Sequence, residues 1–178
     1  MPNDDDHSLI SQYREMAADG VHFPGFAILS HKDEIRHLVR KYKAVTLLDY
    51  GCGRGEQYKA PHRLHRHWGM QWWHVKLYDP AFPAHDERPY GKHDIVLCSD
   101  VLEHVPESEL EQVIGDLFLF ADKAIWASVC CRPAKKTFPG TDVNLHVTLK
   151  PMVWWEQRFT EMRSSMGLET PFILAETQ

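Results

Sequence analysis

The chain of 178 residues has no apolar run approaching the roughly 20 residues needed to span a bilayer. It lacks a basic excess: 20 Lys and Arg stand against 25 Asp and Glu, a net charge of −5. That argues against a general phosphate-backbone binder, and so against a nucleic-acid partner, although local basic patches stay open. Only four cysteines occur, Cys52, Cys98, Cys130 and Cys131, and none forms a C-x-x-C pair. No structural zinc site, and no metal at all, is expected from them, and they read as free buried thiols. The first residues, Met1-Pro-Asn-Asp-Asp-Asp, are acidic, the opposite of a secretory leader, so a cytoplasmic location is expected. No internal repeat or low-complexity linker breaks the chain, which reads as one domain over 1–178.

What is present is a globular composition, 43% hydrophobic and 25% charged. Residues 1–30 look irregular, with a helical patch over Leu9 to Ala18, and read as an N-terminal arm or lid on a core of 31–178. "HKDEIRHLVRKYK" spaces Ile35, Leu38, Val39 and Tyr42 on one helical face, with Ser30 as its cap. "AVTLLDYG", "WWHVKLYD", "DIVLCSD" and "AIWASVCC" read as strands. Helices are expected over 56–68, over "PESELEQVIGDLFLFADK" and over "PMVWWEQRFTEMRSSMG", and "ETPFILAE" closes as a strand. Alternating strands and helices predict an α/β fold with a mostly parallel sheet covered on both faces. Ligands of such sheets bind beyond the carboxyl ends of the strands.

The loops at those ends carry the chemistry. "LLDYGCGRGEQY" places Gly51, Gly53 and Gly55 at every second position after Asp49. Bare backbone there admits a ligand at close range. An acid just ahead of the loop suits a cationic ligand better than a pyrophosphate. Asp79 ends the next strand, 30 residues on, where a carboxylate can accept both hydroxyls of a ribose. It also reads as a turn residue before Pro80. "CSDVLEHV" brings Asp100, Glu103 and His104 to the same rim.

Together, "LLDYGCGRG", "YDP" and "HDIVLCSDVLEHV" resemble the motifs of class I S-adenosylmethionine-dependent methyltransferases, over roughly residues 31 to 178. The resemblance implies a Rossmann-like sheet whose last strand is antiparallel. It implies that Asp49, Gly51, Cys52, Gly53 and Gly55 border the methionine moiety of S-adenosylmethionine. Asp79 and Pro80 would border the ribose, and Ser99, Asp100 and Val101 would line the amino-acid end or sulfonium. One departure is visible. Only 14 residues separate Asp79 from Asp94, too few for the family's third strand and its helix. That unit is expected to be lost between 80 and 93, leaving the adenine contact to Asp86 or to Pro80-Ala81-Phe82. "DPAF" matches the D-P-P-Y/F motif of amino-methylating nucleic-acid enzymes poorly and follows the wrong strand.

Methyl transfer often needs a base for the acceptor's proton, and His104 and His146 are the candidates. His104 also reads as a residue that packs beside the cofactor or caps the Pro106 helix, and Glu103 as a structural or solvated acid. Arg132, Lys135 and Lys136 in "RPAKKTFPG" form either an anion-binding acceptor loop or a solvated one. Trp154 or Trp155 is a candidate wall of the acceptor pocket. Tyr13, Phe23 and Phe26 form either a lid or a packed arm. His62, His65 and His67 read as a surface helix with no acid nearby, and the Trp72-Trp73 and Trp154-Trp155 pairs as core and rim packing. The expected activity is methyl transfer to oxygen or nitrogen of a small acceptor, a sugar, glycan or metabolite, yielding S-adenosylhomocysteine. An RNA or protein methyltransferase needing a partner, and a non-catalytic cofactor-binding module, are the alternatives.

Overall fold

The computed structural model describes residues 9–18, 20 and 22–177. Five strands, β1 (Leu47–Tyr50), β2 (Val75–Tyr78), β3 (His93–Ser99), β4 (Ala121–Cys130) and β5 (Phe172–Thr177), build one sheet in the order β2-β1-β3-β4-β5. Every neighbouring pair is parallel. Helices α1 (Leu9–Ala17), α2 (Lys32–Lys41), α3 (Leu64–His67), α4 (Leu110–Phe120) and α5 (Met152–Ser165) complete an α/β architecture that fits a Rossmann-like fold. Among the described residues no helix is long and apolar enough to cross a membrane.

The expected antiparallel last strand is wrong. β5 runs parallel to β4, from Ile125 beside Phe172 to Cys130 beside Thr177. The segment between them contains α5, a crossover that carries the chain back to the end where β4 began, so the next strand re-enters in the same direction.

The strands explain their own composition. β1 is buried at all four positions and β3 from Ile95 to Cys98, so neither shows alternation in the sequence. Leu47, Ile95, Leu97 and Trp126 pack with Ile35, Leu38 and Val39 of α2 on one face. Leu48, Val96, Cys98 and Ala127 pack with Leu117 of α4 and Phe159 of α5 on the other. Burying each such side chain stabilises the fold by about 1.5–3 kcal/mol.

Residues 79–92 hold neither helix nor strand, so β3 follows β2 without an intervening unit, as the short spacing implied. Other boundaries moved. The expected helix over 56–68 is only a 3-10 turn, Glu56–Tyr58, and the single turn α3, because Pro61 between them cannot donate a helical hydrogen bond. Ser30 does not cap α2; it lies inside a 3-10 turn, Ala27–His31, and its Oγ donates to Ala27 O. α4 passes directly into β4 at Ala121.

Side-chain expectations also needed correction. Cys52 and Cys98 are buried, while Cys130 and Cys131 are only half-buried. His65 is buried, and His67 does have an acid beside it, with Nε2 2.8 Å from Asp33 Oδ1. Trp155 is core, whereas Trp72 and Trp73 are 47% and 74% exposed.

Candidate functional site

A cleft of about 400 Å³ opens at the carboxyl ends of β1, β2 and β3. The loop after β1 forms its floor. Gly51 and Cys52 N–H groups donate to Tyr78 O at 2.7 and 3.1 Å, which ties the loop to the end of β2. Gly51 and Gly53 have φ of +81° and +56°. A Cβ on Gly51 would stand 2.2 Å from Val101 Cγ2, and one on Gly53 would stand 2.3 Å from Phe23 O. Glycine is therefore required by close approach as well as by backbone conformation.

Asp79 directly follows β2 and faces this cleft. Its Oδ2 accepts the Gly53 N–H at 2.8 Å and its Oδ1 the Ala81 N–H at 2.9 Å. The Phe82 N–H donates to Asp79 O at 3.1 Å, so Asp79 is a turn residue as well as a cleft residue. Burial raises its carboxyl pKa, against the two backbone donors and His85.

On the opposite rim, Ser99, Asp100 and Val101 follow β3 and line the cleft. Asp100 sits at φ +52°, a left-handed conformation that aspartate tolerates better than most residues. Its Oδ1 accepts Ser128 Oγ and Thr177 Oγ1, both at 2.9 Å, so the ends of β4 and β5 hold it there.

His104 also lines the cleft. Its Nδ1 is 2.9 Å from Leu145 O and 3.0 Å from Tyr13 OH, and Tyr13 OH is 2.8 Å from Leu145 O. A carbonyl only accepts, so a proton on Nδ1 satisfies all three contacts and leaves Nε2 with the lone pair. Burial first, then neighbouring His146, pulls the imidazole down to about 4, against the Leu145 carbonyl and Asp100. Glu103, beside it, is fully buried. Its Oε1 accepts the Cys130 N–H at 2.8 Å, and Oε2 has no partner among the described residues. Burial, then Asp100, raises its carboxyl to about 8, against backbone hydrogen bonds.

The N-terminal segment covers the cleft mouth. Leu9 and Ile10 of α1, then Phe23, Pro24 and Phe26, line it. α1 is tied to both rims by consecutive residues: Tyr13 reaches Leu145 and His104, and Arg14 donates to Pro80 O at 2.8 Å. Arg14 also pairs with Asp86 at 3.6 Å.

The structure thus brings Gly51, Gly53, Asp79, Pro80, Ser99, Asp100, Val101 and His104 together, with the anticipated Phe23 and Phe26. It does not bring the rest. Asp49 is turned into the core, where its Oδ2 accepts Gln57 Nε2 at 3.0 Å and Tyr58 OH at 2.8 Å. Burial raises it to about 6, partly offset by those two bonds. Cys52 is buried beneath the loop, and burial raises its thiol pKa. Gly55 faces a second pocket with Arg54 and His85. His146 stands behind His104, ring centroids 4.8 Å apart and nearly perpendicular. Arg132, Lys135 and Lys136 are exposed on their loop and do not line the cleft. Trp154 lies in a groove between α4 and α5, with Lys150 and Arg158 against its ring at 5.1 and 4.9 Å. Of the adenine candidates only Pro80 reaches the cleft; Phe82 lines the second pocket.

Sequence reasoning missed Tyr50, Pro106, Glu109 and Val113, which also line the cleft. Glu109, the residue before α4, and Val113 stand four residues apart, a helical spacing that turns both toward the cleft. Comparison with protein-family models, with curated proteins and with solved structures returns no match to this chain.

Proposed function

We propose that this protein is an S-adenosylmethionine-dependent methyltransferase acting on an oxygen or nitrogen of a small acceptor. The observation that carries the reading is Asp79, a carboxylate at the end of β2 tied to the Gly53 N–H and facing the same cleft as the bare glycine loop. The cleft volume, about 400 Å³, is in the range of small-molecule sites. Its walls combine apolar side chains with three acids, Asp79 after β2, Asp100 after β3 and Glu109 just before α4, which suits a ligand with an apolar base, a diol and a cationic end.

In this reading Asp79 accepts the ribose hydroxyls, and Gly51 and Gly53 let the amino-acid end lie against backbone. Ser99, Asp100 and Val101 border the sulfonium side, and Pro80 borders the adenine side. The cofactor supplies an activated methyl group and leaves as S-adenosylhomocysteine. Asp100 compensates positive charge at the cleft. His104 Nε2, left with its lone pair by the Leu145 contact, takes the proton of the acceptor hydroxyl or amine. α1, with Phe23 and Phe26, excludes water. Its attachment at both rims supports an acceptor small enough to fit beneath it.

Screening sugars, glycans and metabolites for acceptor-dependent release of S-adenosylhomocysteine tests this. Turnover with one acceptor class, lost in Asp79→Ala, is expected. Binding of the cofactor with no turnover on any class, RNA and protein included, would favour a non-catalytic module instead.

A further inference from the structure

Behind His104, outside the cleft, three side chains with metal-ligating atoms converge. The carboxylate of Glu103, the thiol of Cys130 and the imidazole of His146 place their ligand atoms within 4.8 Å of one another. They come from three places: the 3-10 turn after β3, the last residue of β4, and the loop that follows it. We propose that Glu103, Cys130 and His146 bind a divalent transition metal of the zinc class.

Four observations carry this. First, Glu103 is fully buried, yet Oε2 has no hydrogen-bond partner and no lysine or arginine pairs with the residue among the described residues. A buried carboxylate oxygen without a donor is costly, and a cation is the partner that relieves it. Second, the donor set is one oxygen, one sulfur and one nitrogen. That mixture suits a borderline-soft ion and neither magnesium nor calcium, which take oxygen ligands. Three protein ligands leave one tetrahedral position for water or another group. Metal–ligand lengths of roughly 2.0–2.3 Å require ligand atoms roughly 3.3–3.8 Å apart, so atoms that now lie within 4.8 Å of one another must draw together as the ion binds.

Third, the ligands are already oriented by contacts of the kind that surround metal centres. His146 Nδ1 donates to Arg132 O at 2.5 Å, which leaves Nε2 as the nitrogen with a lone pair. Glu103 Oε1 is fixed by the Cys130 N–H at 2.8 Å. Fourth, the loop carrying His146 is braced on itself and on the turn after β3. Asn144 Oδ1 accepts the Ala134 and His146 N–H groups, both at 2.9 Å, and its Nδ2 donates to Ala134 O at 2.9 Å. Further along, the Thr148 N–H donates to Glu103 O at 3.0 Å and Thr148 Oγ1 to Val105 O at 2.7 Å. The loop is held on the residue it would share a metal with.

The site stands whether or not the cleft takes S-adenosylmethionine, and its test uses no activity. Cobalt(II), a spectroscopic stand-in for zinc, is titrated into the metal-free full chain. One equivalent per chain should saturate, with a thiolate-to-cobalt charge-transfer band in the near ultraviolet and visible bands of a four- or five-coordinate ion. Cys130→Ser should abolish the charge-transfer band. His146→Gln and Glu103→Gln should each weaken binding by more than about tenfold, and zinc should displace the cobalt. Cys131→Ser, which alters the neighbouring thiol outside the cluster, should leave band and affinity unchanged. Circular dichroism of each variant separates lost ligation from lost fold. Absence of the band in the folded wild-type chain, or its survival in folded Cys130→Ser, overturns the proposal.

Discussion

Asp79 Oδ2 accepts the Gly53 N–H at 2.8 Å, so one carboxylate both closes the turn after β2 and holds the glycine loop after β1 in place. Removing it leaves two partly buried N–H groups without an acceptor. Asp79→Ala is expected to lower stability by about 1–3 kcal/mol, read by urea denaturation. An unchanged midpoint would mean that the two bonds are not formed in solution.

Gly53→Ala tests the close approach of the N-terminal segment to the loop. The added methyl would meet Phe23 O, which already accepts the Arg54 N–H at 2.9 Å. Gly140→Ala is the control, because Gly140 also has positive φ (+74°) but open space around it. The control should cost about 1 kcal/mol, and Gly53→Ala more than that. Equal melting temperatures for the two variants would contradict the packing described.

Tyr13→Phe deletes the hydroxyl that contacts both Leu145 O and His104 Nδ1. About 1 kcal/mol of local stability should be lost. Amide exchange should quicken over Leu9–Ala17 and leave the sheet unaffected. Unaltered protection in that helix would mean that the hydroxyl does not tie it down.

Asp49 makes stability depend on pH. Its carboxyl stands near 6 in the fold against 3.8 for an unperturbed aspartate, chiefly through burial. The folded chain therefore binds a proton that the unfolded chain has released across that interval. Its contribution is fully present below the unfolded value and is lost as pH rises through about 6, by up to about 3 kcal/mol. Asp49→Asn should flatten this part of the profile, because one amide oxygen can still accept both Gln57 Nε2 and Tyr58 OH at the position of Oδ2. A variant whose stability falls across the same interval as the parent would refute the assignment.

The positions of Gly51, Gly53, Asp79 and Asp100 were legible because each follows a strand, and strand ends in a parallel sheet converge on one edge. The direction of Asp49 was not legible. β1 is buried on both faces, so its residues carry no alternation to say which side faces the ligand. The direction of β5 depends on the crossover through α5 and not on its own residues. Tyr13 and His104 are 91 residues apart, and Glu103 and Cys130 are 27 apart. Such meetings leave no local spacing, unlike a C-x-x-C pair, and only the folded sheet brings them together. Trp154 misled because its sequence neighbour Trp155 enters the core, while Trp154 itself turns toward the groove beside α4.

In the proposed reading the cleft between Asp79 and Asp100 takes S-adenosylmethionine. Isothermal titration of the full chain with S-adenosylmethionine and with S-adenosylhomocysteine decides this. Saturable binding of both at one site per chain is expected, with affinity for both reduced more than about tenfold in Asp79→Asn, whose side chain keeps an acceptor for Gly53 but loses its charge. Absence of binding by either compound, or equal affinity in the variant, would contradict it.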